Sequence, residues 1–101
     1  MLTMLLADAQ DKKACKIFNN HLAVINDRVN KKPWQNLGEV NVAINSLEAI
    51  TGITSQSDGN YFGRYYPTLE DYEKWSAWFK ENSLRLYWDK KEKKVKVKTP
   101  L

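Results

Sequence analysis

With 101 residues and a 43% hydrophobic composition, the chain has the size of one modest domain with a single core. No run approaches the roughly 18 apolar residues of a membrane-spanning helix, and a lone cysteine, Cys15, excludes an internal disulfide and a multi-cysteine metal site. The net charge of +4 is local: residues 1–88 carry ten Lys and Arg against ten Asp and Glu, so the excess lies in residues 89–101, where six lysines face Asp89 and Glu92.

From Leu2 to Asn30 the periodicity is helical but not uniform. Leu2, Leu5, Leu6 and Ala9 share one direction, while Ala14, Ile17, Phe18, His21, Leu22, Ile25 and Val29 centre roughly 150° away. The polar run Gln10–Lys13 separates the two sets. Either the helix breaks there, or one long helix packs its halves against different partners and projects Leu2, Leu5 and Leu6 as a homodimer contact. The opening residues, followed by Ala7-Asp8-Ala9, also have the small-x-small look of an export-signal cleavage site, without the basic n-region or longer apolar stretch of a complete signal. Export and residence in the cytoplasm both stay open.

Pro33 excludes helix at Lys32, making Asn30–Trp34 a connection. Asn36 then caps a second helix over 36–51, with Glu39 in the capping-box place. Its apolar face is Leu37, Val40, Ala43, Ile44, Leu47 and Ile50, and Gly52 supplies a left-handed stop with Ile53 folding back on Leu47. Residues 54–67, rich in Ser, Gly, Asp and Asn, read as a long loop pinned by Tyr61, Phe62, Tyr65 and Tyr66.

Thr68 caps a third helix over 68–82, with Asp71 three residues on and Glu70 and Glu73 complementing the dipole. Leu69, Tyr72, Trp75 and Phe79 form its stripe; Trp78 lies about 100° from the stripe's centre and needs a second partner. Over 84–98, Leu84, Leu86 and Trp88 alternate with Arg85 and Tyr87, and Val95 and Val97 with Lys94, Lys96 and Lys98, the period-2 signature of a hairpin. The expected fold is mainly α, with about three helices, the first long or broken, and a C-terminal β-hairpin. An α+β arrangement is the alternative.

The segment Leu47…Thr51-Gly52, the pair Phe62-Gly63, and Trp75-x-x-Trp78-Phe79 with Asn82 together resemble the closing unit of bacterial HEAT-repeat-like proteins. The resemblance covers residues 47–82. The chain departs from that pattern in lacking a preceding array of helical repeats, in its long loop, and in ending on a hairpin. The resemblance implies a non-catalytic helical interaction module and supplies no catalytic residue.

The residues themselves offer little chemistry. His21, the only histidine, sits within an apolar stripe and reads as a core or boundary imidazole. Cys15 lies about 120° from it around the helix, a poor geometry for a Cys-His pair. Ser55–Asn60 has oxygen ligands but lacks the alternating carboxylates and closing Glu of a calcium loop, so a turn at Asp58-Gly59 is preferred. The acids Glu70, Asp71, Glu73 and Glu81 suit a helix dipole and surface pairing, with none marked as desolvated. Phosphate loops and nucleophile elbows are absent.

No catalytic residue, cofactor or metal is therefore expected. The preferred reading is a non-enzymatic module that binds an unknown protein, through aromatic residues off the core stripe (Trp78, Tyr61 and Tyr65), and self-associates through Leu2, Leu5 and Leu6. One alternative is a nucleic-acid binder using Lys93, Lys94, Lys96 and Lys98, although such lysines also suit an edge strand that refuses further pairing. Another is a small exported or immunity-type inhibitor.

Overall fold

The computed structural model describes residues 11–32, 36–56 and 64–98. Leu2, Leu5, Leu6, the Asp58-Gly59 turn, Tyr61 and the Phe62-Gly63 pair lie outside these residues. Three helices, α1 (Lys12–Val29), α2 (Leu37–Thr51) and α3 (Leu69–Asn82), are followed by a 3-10 turn at Ser83–Arg85 and the hairpin of β1 (Leu86–Asp89) with β2 (Lys94–Val97). The molecule is thus mainly α with a small antiparallel β part. The strands pair in the register Leu86 with Val97 and Trp88 with Val95.

Helix α1 is the hub, since α2, α3 and both strands pack on it. It starts at Asp11, whose extended backbone and side chain, accepting from the Ala14 N–H at 3.0 Å, form an N-cap. The extended backbone at Asp11 breaks the helix within the polar run Gln10–Lys13. Its far end closes with the Lys32 N–H donating to Asp27 O and the Lys31 N–H to Arg28 O, which is the Schellman pattern. Lys31 takes the left-handed position (φ 57°) that glycine more commonly fills.

The α1 stripe of Ala14, Phe18, Leu22 and Ile25 buries against Val40, Ala43, Ile44 and Leu47 of α2, with Trp75, Leu86 and Val95 completing the core. Phe18 is the keystone: its ring stacks on Trp78 (centroids 5.6 Å apart) and on Phe79 (5.0 Å). Burying rings of this size contributes about 1.5–3 kcal/mol each.

Helix α3 carries the anticipated capping box, with the Asp71 N–H donating to Thr68 Oγ1 and the Thr68 N–H returning to Asp71 Oδ2. Of the expected stripe, Tyr72, Trp75 and Phe79 pack on the core and Leu69 does not. The packed face centres on Trp75 and widens to take in Asp71 and Trp78, leaving Leu69 56% exposed. Phe18 stacks on both Trp78 and Phe79, which brings the off-stripe Trp78 onto the core beside the expected residues. Leu84, expected in the first strand, belongs to the 3-10 turn and is largely exposed. Arg85 fastens this corner: its Nε donates to Lys98 O, its Nη1 to Asn82 Oδ1, and its own carbonyl accepts from the Lys98 N–H.

The ends of the long loop are pinned by polar groups. Asp71, 2% exposed, accepts from Ser55 Oγ at 2.6 Å, the Gln56 N–H at 3.0 Å and the Thr68 N–H at 3.0 Å. One of the four α3 acids is desolvated after all, because the start of the loop folds back over the helix N-terminus. Arg64 closes the other end. It forks onto Glu48, donates to Asn45 Oδ1, and its backbone N–H meets Asn41 Oδ1. Asn41, Asn45 and Glu48 share one face of α2, at the spacing that aligns side chains over two turns.

Candidate interaction groove

Helices α1 and α2 run antiparallel, and beside their buried seam lies a groove. One wall is Ile17, His21 and Val24 of α1; the other is the row Gly38, Val42, Ser46 and Ala49 of α2, with Ile50 at its end. At one end a cleft of about 320 Å³ is closed by Trp88, Lys93, Lys94 and Val95 of the hairpin. The other end widens between Asn20, Asn36 and Glu39. Val42, at 55% exposure, is the large apolar side chain most open to solvent along the groove. At 1.5 Å per residue the α2 wall from Gly38 to Ile50 extends about 18 Å, or some three helical turns.

The α2 wall follows from sequence. With Val40, Ala43, Ile44 and Leu47 committed to the core, helical rotation turns Gly38, Val42, Ser46 and Ala49 toward the open side. None of these four is charged, which is unusual for a helix face turned to water and is the signal by which the groove could have been found. The hairpin end is equally built. Trp88 N–H donates to Asp11 Oδ2 at 2.8 Å, fixing β1 beside the start of α1, and Lys13 Nζ lies 4.1 Å from the Trp88 ring centroid as a cation–π contact.

His21 sits in the middle of the groove, partly buried, and burial holds its imidazole below the ordinary pKa. It is therefore mostly neutral at pH 7, with one ring nitrogen as donor and one as acceptor. Cys15 is buried on the other side of α1, its thiol directed at Ser83 O (3.7 Å) and pushed up in pKa by burial. Among the described residues no group of three or more His, Cys, Asp and Glu is placed to hold a metal ion.

Of the described residues singled out by sequence, His21, Lys93 and Lys94 line the groove and the others fall elsewhere. Trp78 is half-buried and spends a ring face on Phe18. The Tyr65 carbonyl accepts from Arg28 Nε at 2.7 Å, and it is Tyr66, 70% exposed, that carries the Arg28 guanidinium over its ring. Of the hairpin lysines, Lys96 is tied to Asp89 (2.9 Å) and Glu92, and Lys94 to Glu92 (3.3 Å). These pairs hold Lys96 well above the usual lysine range and the two acids below theirs. Lys93 and Lys94 line the groove, and Lys98 is exposed just past β2.

Compared with known proteins, the chain matches no protein-family model, no curated protein and no solved structure. Among the described residues, no helix is long and apolar enough to cross a membrane.

Proposed function

We propose that this chain is a non-catalytic protein-interaction module whose binding surface is the groove between α1 and α2. The observation that carries the reading is Val42: a β-branched apolar side chain held open to water, flanked by Ile17, Ile50 and Val24 at the edge of the core. Docking another protein there would remove this apolar surface from water, at about 25 cal/mol per Å². The fold is well suited to that role, since α1 and α2 are mutually buried and present a preformed wall. The resemblance of residues 47–82 to HEAT-repeat-like closing units is consistent with an interaction role.

The test is affinity capture from the native extract with wild-type bait and Val42→Asp bait, followed by titration of each captured protein in purified form. A partner whose affinity falls on the order of tenfold or more with Val42→Asp, in bait that keeps its circular dichroism and melting temperature, supports the reading. A partner bound equally by both baits removes it.

A second reading, nucleic-acid binding, rests on α1. Lys12, Lys13 and Lys16 occupy its first turns, where the dipole disfavours cations, and no acidic residue lies in the first turn. The Asp11–Trp88 bond fixes the start of α1 against the hairpin, where Lys13 lies over Trp88. This reading predicts a mobility shift at low salt that is abolished by replacing Lys12, Lys13 and Lys16 with Gln; no shift at low salt eliminates it.

A further inference from the structure

Charge along the groove is uneven, and the unevenness selects an occupant. At the hairpin end, Lys93 and Lys94 line the cleft and Lys13 stands over Trp88. Among the described residues Lys13 and Lys93 have no ion-pair partner, while Lys94 meets only the exposed Glu92. At the opposite end the charged side chain is Glu39, between the amides of Asn20 and Asn36. Because α1 and α2 are antiparallel, each end of the groove holds one helix N-terminus and one C-terminus, so their dipoles offset and the side chains set the polarity.

From this polarity we infer that the partner docks as an amphipathic helix of about three turns, lying parallel to α2, with acidic residues in its C-terminal turn. Its apolar stripe covers Ile17, Val42 and Ile50. Its negative end, through both carboxylates and unsatisfied carbonyls, faces Lys13, Lys93 and Lys94, and its N-terminus faces Glu39. The reverse orientation would set the partner's positive end against three lysines. Electrostatic complementarity of this kind fixes direction and excludes wrong partners more than it adds raw affinity. The inference rests on the groove being the binding surface and adds the chemical class and direction of what binds.

The experiment is selection of a displayed library of helical peptides, randomised at every position, on the immobilised full chain. Each enriched peptide is then titrated against wild type, Val42→Asp and the double variant Lys93→Glu/Lys94→Glu. The expected result is peptides with an apolar i, i+3, i+4, i+7 stripe and Asp or Glu concentrated in the last turn. Their affinity should fall on the order of tenfold or more for both variants. Peptides that lose affinity for Val42→Asp but show no acidic bias, or are indifferent to the lysine reversal, overturn the inference and leave the groove as the binding surface. Peptides indifferent to Val42→Asp overturn both. Dimerisation of the free chain that Val42→Asp abolishes assigns the groove to a second copy, and displacement of the peptides by a short DNA duplex assigns its lysine end to a polyanion; either result overturns the acidic helix.

Discussion

Asp11 and Trp88 lie 77 residues apart and share one hydrogen bond, from the Trp88 backbone N–H to Asp11 Oδ2. The other carboxylate oxygen caps α1 at Ala14, so one side chain starts the central helix and holds the hairpin against it.

Replacing Asp11 separates those two duties. Asn keeps an oxygen for the cap but turns an amide donor toward the Trp88 N–H; Ala loses both bonds. Urea unfolding should show Asp11→Asn destabilised by about 1 kcal/mol and Asp11→Ala by about 2 kcal/mol. The N–H groups of Ala14 and then Trp88 lower the Asp11 pKa below its ordinary 3.8. Its contribution is therefore complete above that value and is lost as pH falls through the lowered folded-state pKa. Between pH 5 and pH 2 the wild type should lose its advantage over Asp11→Asn.

Buried Asp71 makes a sharper case. Asp71→Asn must turn a donor toward Ser55 Oγ, the Gln56 N–H or the Thr68 N–H, and should cost about 2–3 kcal/mol. Ser55→Ala leaves the carboxylate short of one donor and should cost about 1–2 kcal/mol. Since both changes act on the same bond, a double-mutant cycle should show clear non-additivity, with the pair costing less than the two single changes together. Additive losses would show that the bond carries no coupling.

Lys31 holds a left-handed conformation at the end of α1. Glycine takes that conformation without steric cost, at some expense in unfolded-chain entropy. Lys31→Gly should raise stability by about 0.5–1 kcal/mol, read as an increase in melting temperature. An unchanged or lower melting temperature would count against the Schellman closure.

His21 should impose a pH dependence on folding. Burial lowers its folded-state pKa below the ordinary 6.5, so the unfolded chain binds the proton more readily. Stability is greatest above pH 6.5 and declines as pH falls through the window below it, levelling only under the folded-state pKa. His21→Gln should flatten that slope between pH 7 and pH 5, and NMR titration of the imidazole should give a midpoint below 6.5.

Much of this fold is legible in the sequence because it is local. Asn36 caps α2 through the Gly38 and Glu39 amides, Thr68 and Asp71 form their box, Gly52 turns left-handed at φ 76°, and alternation marks the strands. Each needs only residues within one turn or one strand. What the sequence hides is set at long range. The packing of Trp78 depends on Phe18, placed against it by the hub helix, and the burial of Asp71 depends on Ser55 and Gln56 folding back across 15–16 residues. The Ile53 N–H goes to Thr51 Oγ1 at 3.0 Å, and the Ile53 carbonyl accepts from Trp75 Nε1 at 3.1 Å. Aromatic richness points to Trp78 and Tyr65 in the second half, whereas the groove is marked only by the uncharged row Gly38, Val42, Ser46 and Ala49, and its α1 wall follows from how the two helices pack.

Site-specific photo-cross-linking in the native cell tests the groove most directly, with a photoreactive phenylalanine at Val42 and, separately, at Glu73 on the exposed side of α3. The expected result is a discrete protein adduct from position 42 and none from position 73. An adduct at 73 without one at 42, or none at either, would contradict the assignment of the α1–α2 groove as the place where a partner binds.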